Sequence, residues 1–237
     1  MKKVNYVLPH YANFFASILL ISIILLFSRI HIAKLCSNEI IALSILGIIL
    51  GSVFGIFEKS IVRISLLSCL IQTAYFLTDF GVALAANKPL AFATIHFINF
   101  SIAGLLFAAL MARFNCVIET DNPRMLQGLY NISSILTFAF IVVCFSQGGL
   151  PGLNIFVGEY LIYAALFNLS PIALAVTVFA SLLAFVFYFR LVFLIFAGRK
   201  RKKIKISNLF NSIVLGLALI VILLGVFPWI LLSIAAG

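Results

Sequence analysis

Glu159 is the residue in this chain best placed to do chemistry. It stands in the run Gln147-Gly148-Gly149-Leu150-Pro151-Gly152-Leu153-Asn154-Ile155-Phe156-Val157-Gly158-Glu159-Tyr160, where glycines and Pro151 interrupt an apolar sequence. A helix broken there frees backbone groups that need protein or water partners. A carboxylate one to two turns into the following helix can hold a proton and release it when the local field changes. Its other reading is a structural acid paired with a buried arginine. His96, in Thr94-Ile95-His96-Phe97-Ile98-Asn99, carries a ring suited to proton relay, or is a histidine hydrogen-bonded in the core. Asn99 lies one turn along and can share a water with it. Arg190, in Tyr188-Phe189-Arg190, has no acid nearby in sequence, so Glu159 is its expected partner. Arg63 and Asp79 fall toward the two ends of one apolar segment; either is a candidate for the proton pathway, Arg63 above all, and the favoured alternative is a side chain snorkelling to the headgroups.

The elements that must hold these residues are apolar. Of 237 residues 65% are hydrophobic and 9% charged, whereas a soluble domain carries about 25% charged residues. A bilayer span takes roughly 20 mostly apolar residues. Eight such spans account for the sequence, at 12–32, 39–57, 61–86, 89–112, 131–147, 153–168, 172–197 and 207–234. The alternation of a membrane β-barrel is missing. The expected fold is an all-α integral membrane protein of about eight transmembrane helices. It has a broken helix near 148–158 and a single transmembrane domain over 1–237.

The formal charge of +10 follows the same logic. Arg199, Lys200, Arg201, Lys202, Lys203 and Lys205 form a run between two apolar segments, which is where a loop that fixes orientation belongs. Lipid is therefore a partner and nucleic acid is not. Eight alternating spans put that run on one side with Lys34 and Lys88. Lys2, Lys3, Lys59, Arg113 and Arg124 fall on the other side, leaving both termini outside. The start resembles a signal peptide but has no small-residue cleavage pattern, so an uncleaved first helix is expected. Cys36, Cys69, Cys116 and Cys144 lack metal-ligand spacing and read as packing residues. Gly47, Gly51 and Gly55 recur every fourth residue, so a helix can approach closely on that face, either from this chain or from a partner subunit. No phosphate loop, paired cysteine motif or nucleophile with an evident base occurs. No cofactor, metal or catalytic site is expected within the chain, and no internal inverted repeat is visible.

At this point the residues resemble a known family. Thr120, Arg124, Met125, Gly128 and Leu129 match a T-x-x-x-R-M-x-x-G-L connection of the M-type antiporter-like subunit of respiratory complex I. Leu150-Pro151-Gly152, Phe156-Val157-Gly158-Glu159 and Tyr160 match its L-P-G-x-x-x-F-V-G-E-F, with an aromatic swap at the end. Ser101-Ile102-Ala103-Gly104-Leu105 is similar to S-A-A-G-L, near the family's histidine-bearing stretch. Ser60-Ile61-Val62-Arg63, with Ser68 and Tyr75, is similar to D-I-K-R followed by S-S and an aromatic. Leu8-Pro9-His10, and Ile18-Leu19-Leu20 through Arg29, resemble its L-P-x-x-H and I-L-L-K...R elements. All stand in the family's order. Subunits of multisubunit cation/proton antiporters and of membrane-bound hydrogenases share most of these motifs.

The resemblance implies the C-terminal part of a fourteen-helix subunit, with the N-terminal helices lacking. The family's two channel lysines would fall at Ile21 and Val62, and aliphatic side chains cannot hold a proton. Of its titratable groups Glu159 and His96 remain, with Arg63 as a fixed charge. The resemblance thus implies a truncated antiporter-like subunit contributing part of a proton or sodium pathway in an NADH:quinone oxidoreductase-like complex. Glu159 would be a terminal proton site, His96 with Asn99 the relay, and Arg190 the electrostatic partner. Other membrane subunits are the implied partners, and a bacterial or archaeal cytoplasmic membrane the implied location. A non-translocating structural or degenerate subunit, or a subunit of a cation/proton antiporter, are the alternatives.

Overall fold

A computed structural model describes residues 4–27, 36–87, 90–198 and 206–236, and among these every regular element is helical. In hydrocarbon each backbone N–H and C=O must be satisfied within its own segment, which leaves an apolar chain the helix. The elements are α1 (Val4–Phe27), α2 (Ser37–Phe57), α3 (Ile61–Ala85), α4 (Ala91–Ile118), α5 (Ser134–Gln147), α6 (Asn154–Leu169), α7 (Pro171–Phe196), α8 (Asn208–Val226) and α9 (Trp229–Ala236). Six of them, α1 to α4, α7 and α8, contain stretches long and apolar enough to cross a membrane. The expectation of an all-α membrane protein holds.

Differences from the expected spans have local causes. The span expected at 207–234 is two helices, because Pro228 lacks an N–H and α8 ends at Val226. The span expected at 89–112 runs on to Ile118, where Glu119 takes a left-handed conformation (φ 53°) and stops it. The first helix is already formed at Val4 and contains Pro9. The basic run 199–205, together with Lys2, Lys3, Lys34 and Lys88, lies outside the described residues.

α3 and α4 form the centre. Their apolar windows are 67% and 72% buried, against 28% and 17% for α7 and α8. The outer helices turn Leu19, Phe54, Ile172, Phe179 and Leu209 outward, an apolar surface suited to lipid or neighbouring subunits. The glycine stripe of α2 packs inside the chain: Gly47 faces Ala74, Gly51 faces Ile71 and Gly55 faces Phe187. Two short 3₁₀ turns, Pro123–Leu126 and Leu129–Asn131, carry the chain from α4 to α5. That connection closes over the start of α3. The Asp121 carbonyl accepts from the Ile61 N–H and its carboxylate from the Val62 N–H, both at 2.9 Å.

The interruption expected near 148–158 is confined to residues 148–153. Gly149 (φ 74°) is the left-handed residue that ends α5. Its N–H reaches the Ser146 carbonyl, and the Leu150 N–H reaches that of Phe145, the paired bonds of a Schellman cap. Gly152 (φ 90°) then turns the chain toward α6. At 1.5 Å per residue α5 and α6 rise only about 21 and 24 Å, less than the roughly 30 Å hydrocarbon core. The break therefore falls within the bundle.

Candidate functional site

The site begins with a row of polar side chains along α3. Ser65, Ser68, Gln72, Tyr75 and Asp79 recur at steps of three, four, three and four residues, and all are buried. That spacing keeps them on one helix face, over a rise of about 21 Å. Four of them meet groups from α4, α5 and α7. The Ser68 and Tyr188 hydroxyls are 2.8 Å apart, and the Gln72 amide donates to the Gln147 carbonyl at the end of α5 (2.9 Å). The Tyr75 hydroxyl donates to Ser181 of α7 (2.8 Å). Asp79 lies 3.5 Å from His96 Nδ1 on α4.

From Tyr75 the polar groups continue to Glu159. Tyr163, one turn beyond Glu159 on α6, has its hydroxyl 2.6 Å from Ser181 Oγ and donates to Glu159 Oε2 at 3.0 Å. Each hydroxyl owns one proton. Ser181 Oγ donates to the Thr177 carbonyl at 3.1 Å, and while Tyr163 donates to the carboxylate the serine proton can turn from that carbonyl to Tyr163. With the serine so turned, Glu159, Tyr163, Ser181 and Tyr75 form a directed chain of hydrogen bonds that can pass a proton by reversing.

Two glycines let this cluster close. A Cβ at Gly149 would overlap the Glu159 carboxylate, and one at Gly158 would press on His96 Nδ1. Gly149, which ends α5, therefore also seats the acid. Gly149→Ala adds a left-handed penalty of about 1–2 kcal/mol to that overlap. It should lower the thermal stability of the detergent-purified protein, whereas Gly152→Ala, with open space around its Cβ position, should incur the backbone penalty alone.

Several buried atoms here have no hydrogen-bond partner: Glu159 Oε1, both His96 ring nitrogens, Asp79 Oδ2, both side-chain polar atoms of Asn99 and of Gln147, and Gln72 Oε1. Burying such a group unpaired costs about 1–3 kcal/mol, and sites of this polarity take up water. Asn154 extends the cluster, donating to the Asn99 carbonyl (3.0 Å) and accepting from Ser146 (2.7 Å).

Glu159, His96 and Asn99 are thus brought into one region, as their types suggest. Arg190 is not. It donates to the Gly55 carbonyl (2.8 Å) and the Glu58 carbonyl (3.1 Å) at the end of α2. It lies nine residues, about 13 Å along α7, beyond Ser181. The carbonyls at a helix end lack intrahelical donors, and the guanidinium satisfies them. The expected Arg190–Glu159 pair is corrected accordingly. Arg190→Gln should lower the melting point modestly, by the loss of about 1–2 kcal/mol, and leave ion translocation unchanged. Arg63 is exposed and pairs with Glu58 at 3.1 Å, as expected of a residue at the surface. Asp79 departs from the snorkelling expected of it: it is only 2% exposed, six residues before the end of α3. Ile21 is sealed in the apolar core. Val62 sits in the first turn of α3, its carbonyl accepting from Asn13 (3.4 Å).

The comparisons with known proteins fit this architecture. Residues 8–184 match the family model described as "NADH:quinone oxidoreductase/Mrp antiporter, TM". The NADH-quinone oxidoreductase subunit M of Pseudomonas aeruginosa is 25% identical over 198 residues, covering 82% of this chain and 38% of that protein. Subunit N of Cytophaga hutchinsonii is 23% identical, covering 84% and 44%. The chain therefore spans about two fifths of the length of these relatives. A similar fold occurs in respiratory complex I from Thermus thermophilus (TM-score 0.70, 20% identity, 83% of this chain and 45% of that one). It occurs also in the Mrp complex from Dietzia sp. (TM-score 0.74, 14% identity, 88% and 46%). With most of its length matched, the chain is a multi-pass membrane protein that belongs to the NADH:quinone oxidoreductase/Mrp antiporter transmembrane family.

Proposed function

We propose that this chain is an antiporter-like subunit of a proton- or sodium-translocating membrane complex of the NADH:quinone oxidoreductase or Mrp type, contributing part of the ion path. The observation that carries the reading is the buried Glu159 at the end of the Tyr163–Ser181–Tyr75 hydroxyl chain. Glu159 is buried and accepts from Tyr163, and the hydroxyls give a proton a route across α6, α7 and α3. His96 and Asn99 supply unpartnered polar atoms on the neighbouring helix, where water completes a relay. The outward apolar faces of α2, α7 and α8 suit other membrane subunits and lipid. The cytoplasmic membrane of a bacterium or archaeon is the location that the bacterial relatives favour.

Ile21 and Val62 support a second reading, in which the chain is a structural subunit that moves no ions. An aliphatic residue at either position gives up the lysine that the family resemblance places there, and Ile21 is packed as core. The test is affinity purification of the tagged protein in mild detergent, followed by mass spectrometry. Hydrophilic redox subunits in the eluate would support a complex I-like host, and cation/proton antiporter subunits alone an Mrp-like one. Isolation of the chain by itself would overturn the subunit assignment.

A further inference from the structure

Beside the helix that carries Glu159, a second acid and a base meet in the interior of the bundle. The carboxylate of Asp79, on α3, lies 3.5 Å from His96 Nδ1, on α4, and the two side chains are 2% and 0% exposed. Asp79 Oδ2 and both ring nitrogens have no hydrogen-bond partner. His96 also rests against the backbone of Gly158, the residue before Glu159.

The surroundings leave the pair to answer to one other charge. From α6 the nearest acid in sequence to the His96 contact is Glu159, the residue after Gly158, which His96 Nδ1 touches. From α3 itself the Tyr75 ring lies 5.9 Å from that of His96. From α2 the nearest polar group is Ser44, bonded to Thr78 at 2.9 Å. The titratable side chains His10 and Tyr11 of α1 lie toward the opposite end of α3: His10 bonds Asn115 (3.2 Å) and faces Asp121. Among the described residues no lysine or arginine pairs with Asp79 or His96.

We propose that Asp79 and His96 form a second proton-binding site, occupied in alternation with Glu159. With a neutral imidazole and an ionised carboxylate the pair carries one buried negative charge. One added proton, on an Asp79 oxygen or on His96 Nδ1, leaves the pair net neutral, and its release to water restores the negative charge. Glu159 undergoes the same change on the other side of the Gly158 backbone. Two ionised carboxylates with no lysine or arginine beside them repel in a poorly screened interior. A proton bound at one site therefore weakens binding at the other. The chain then keeps two coupled acid sites although Ile21 and Val62 can hold no charge. The inference extends the ion-path reading of Glu159, but its test measures proton binding at equilibrium and needs no translocation.

The sequence makes the test direct, since the chain has two aspartates, Asp79 and Asp121, and Asp121 is in the loop that caps α3. The full chain, carboxyl-labelled with carbon-13 at aspartate and reconstituted in liposomes, is titrated with infrared detection of the protonated carboxyl stretch. A label-shifted band that titrates and is lost in Asp79→Asn is expected. Glu159→Gln and Asp79→Asn should each leave one buried-carboxyl step. In the wild type the two steps should stand apart by about one pH unit more than the single-variant midpoints do, the signature of interacting sites. His96→Gln should move the aspartate step. A label-shifted band absent across the whole pH range, or present but unchanged by Asp79→Asn, would overturn the site. A wild-type curve equal to the sum of the two single-variant curves would overturn the alternation. Because only Asp79 and Asp121 carry the label, Asp121→Asn, a change in the loop, leaves Asp79 as the one reporter and keeps the first question answerable if Asp79→Asn folds poorly. Translocation that survives Glu159→Gln would defeat the functional reading and leave this binding measurement standing.

Discussion

Glu159→Gln should reduce ion translocation by the assembled complex roughly a hundredfold or more, the scale on which a positioned proton-transfer group acts. Glutamine has nearly the same shape and can still accept from Tyr163, which donates to Glu159 at 3.0 Å. It cannot take up and release a proton. Assembly and thermal stability should therefore stay close to wild type while transport is lost, a combination that loss of structure does not produce. Ser181→Ala interrupts the chain of hydroxyls without touching the acid, whereas Tyr163→Phe also removes the donor to Glu159; each should reduce the rate by a smaller factor, about tenfold. The measurement is acidification of vesicles containing the complex, driven by its own electron donor or by an imposed ion gradient. Transport at the wild-type rate in Glu159→Gln would leave the structural-subunit reading in possession.

Gly225→Leu should be the most damaging substitution far from any titratable group. Gly225, on α8, lies directly on the backbone of Gly152 and Leu153, so that even a Cβ would overlap the Gly152 carbonyl oxygen and the Leu153 main chain. Main chain cannot rotate aside as a side-chain tip can. The 148–153 break must then lift off α8, and Glu159, seated against Gly149 of the same break, moves with it. Overpacking of this kind costs about 1–3 kcal/mol, to be read as a lower melting temperature in detergent. Ion transport should fall in step although every polar residue is retained. Gly216→Leu is the control on the same helix, because a Cβ there meets open space.

The helices were legible because the bilayer leaves an apolar chain one way to satisfy its backbone, and the break because Gly149, Pro151 and Gly152 cannot all continue a helix. Glu159 was legible from its distance beyond that break. Asp79 was misread for a physical reason: counting residues to a helix end locates a side chain along one axis only. α2 reaches past it, with Ile40, Ile41 and the Ser37 carbonyl against Gly81. For Arg190 the sequence offers Glu159 as a buried acid and hides the true partners, because backbone carbonyls at a helix end leave no mark in it. The α3 row was open to reading throughout: Ser65, Ser68, Gln72, Tyr75 and Asp79 keep helical spacing in an otherwise apolar segment. Tyr163 and Ser181 were not, since only the packing of α6 against α7 brings them together.

The hydroxyl chain described above also has a memory. After one proton has travelled from Tyr75 through Ser181 and Tyr163 to Glu159, every O–H along it points backward, and the line is closed to the next proton. Each phenol and the serine must swing round before it reopens. Transport through this bundle would then be paced by the turning of three hydroxyl groups in a tightly packed interior, and a bulkier neighbour beside Ser181 or Tyr163 would slow the cycle without altering any acid.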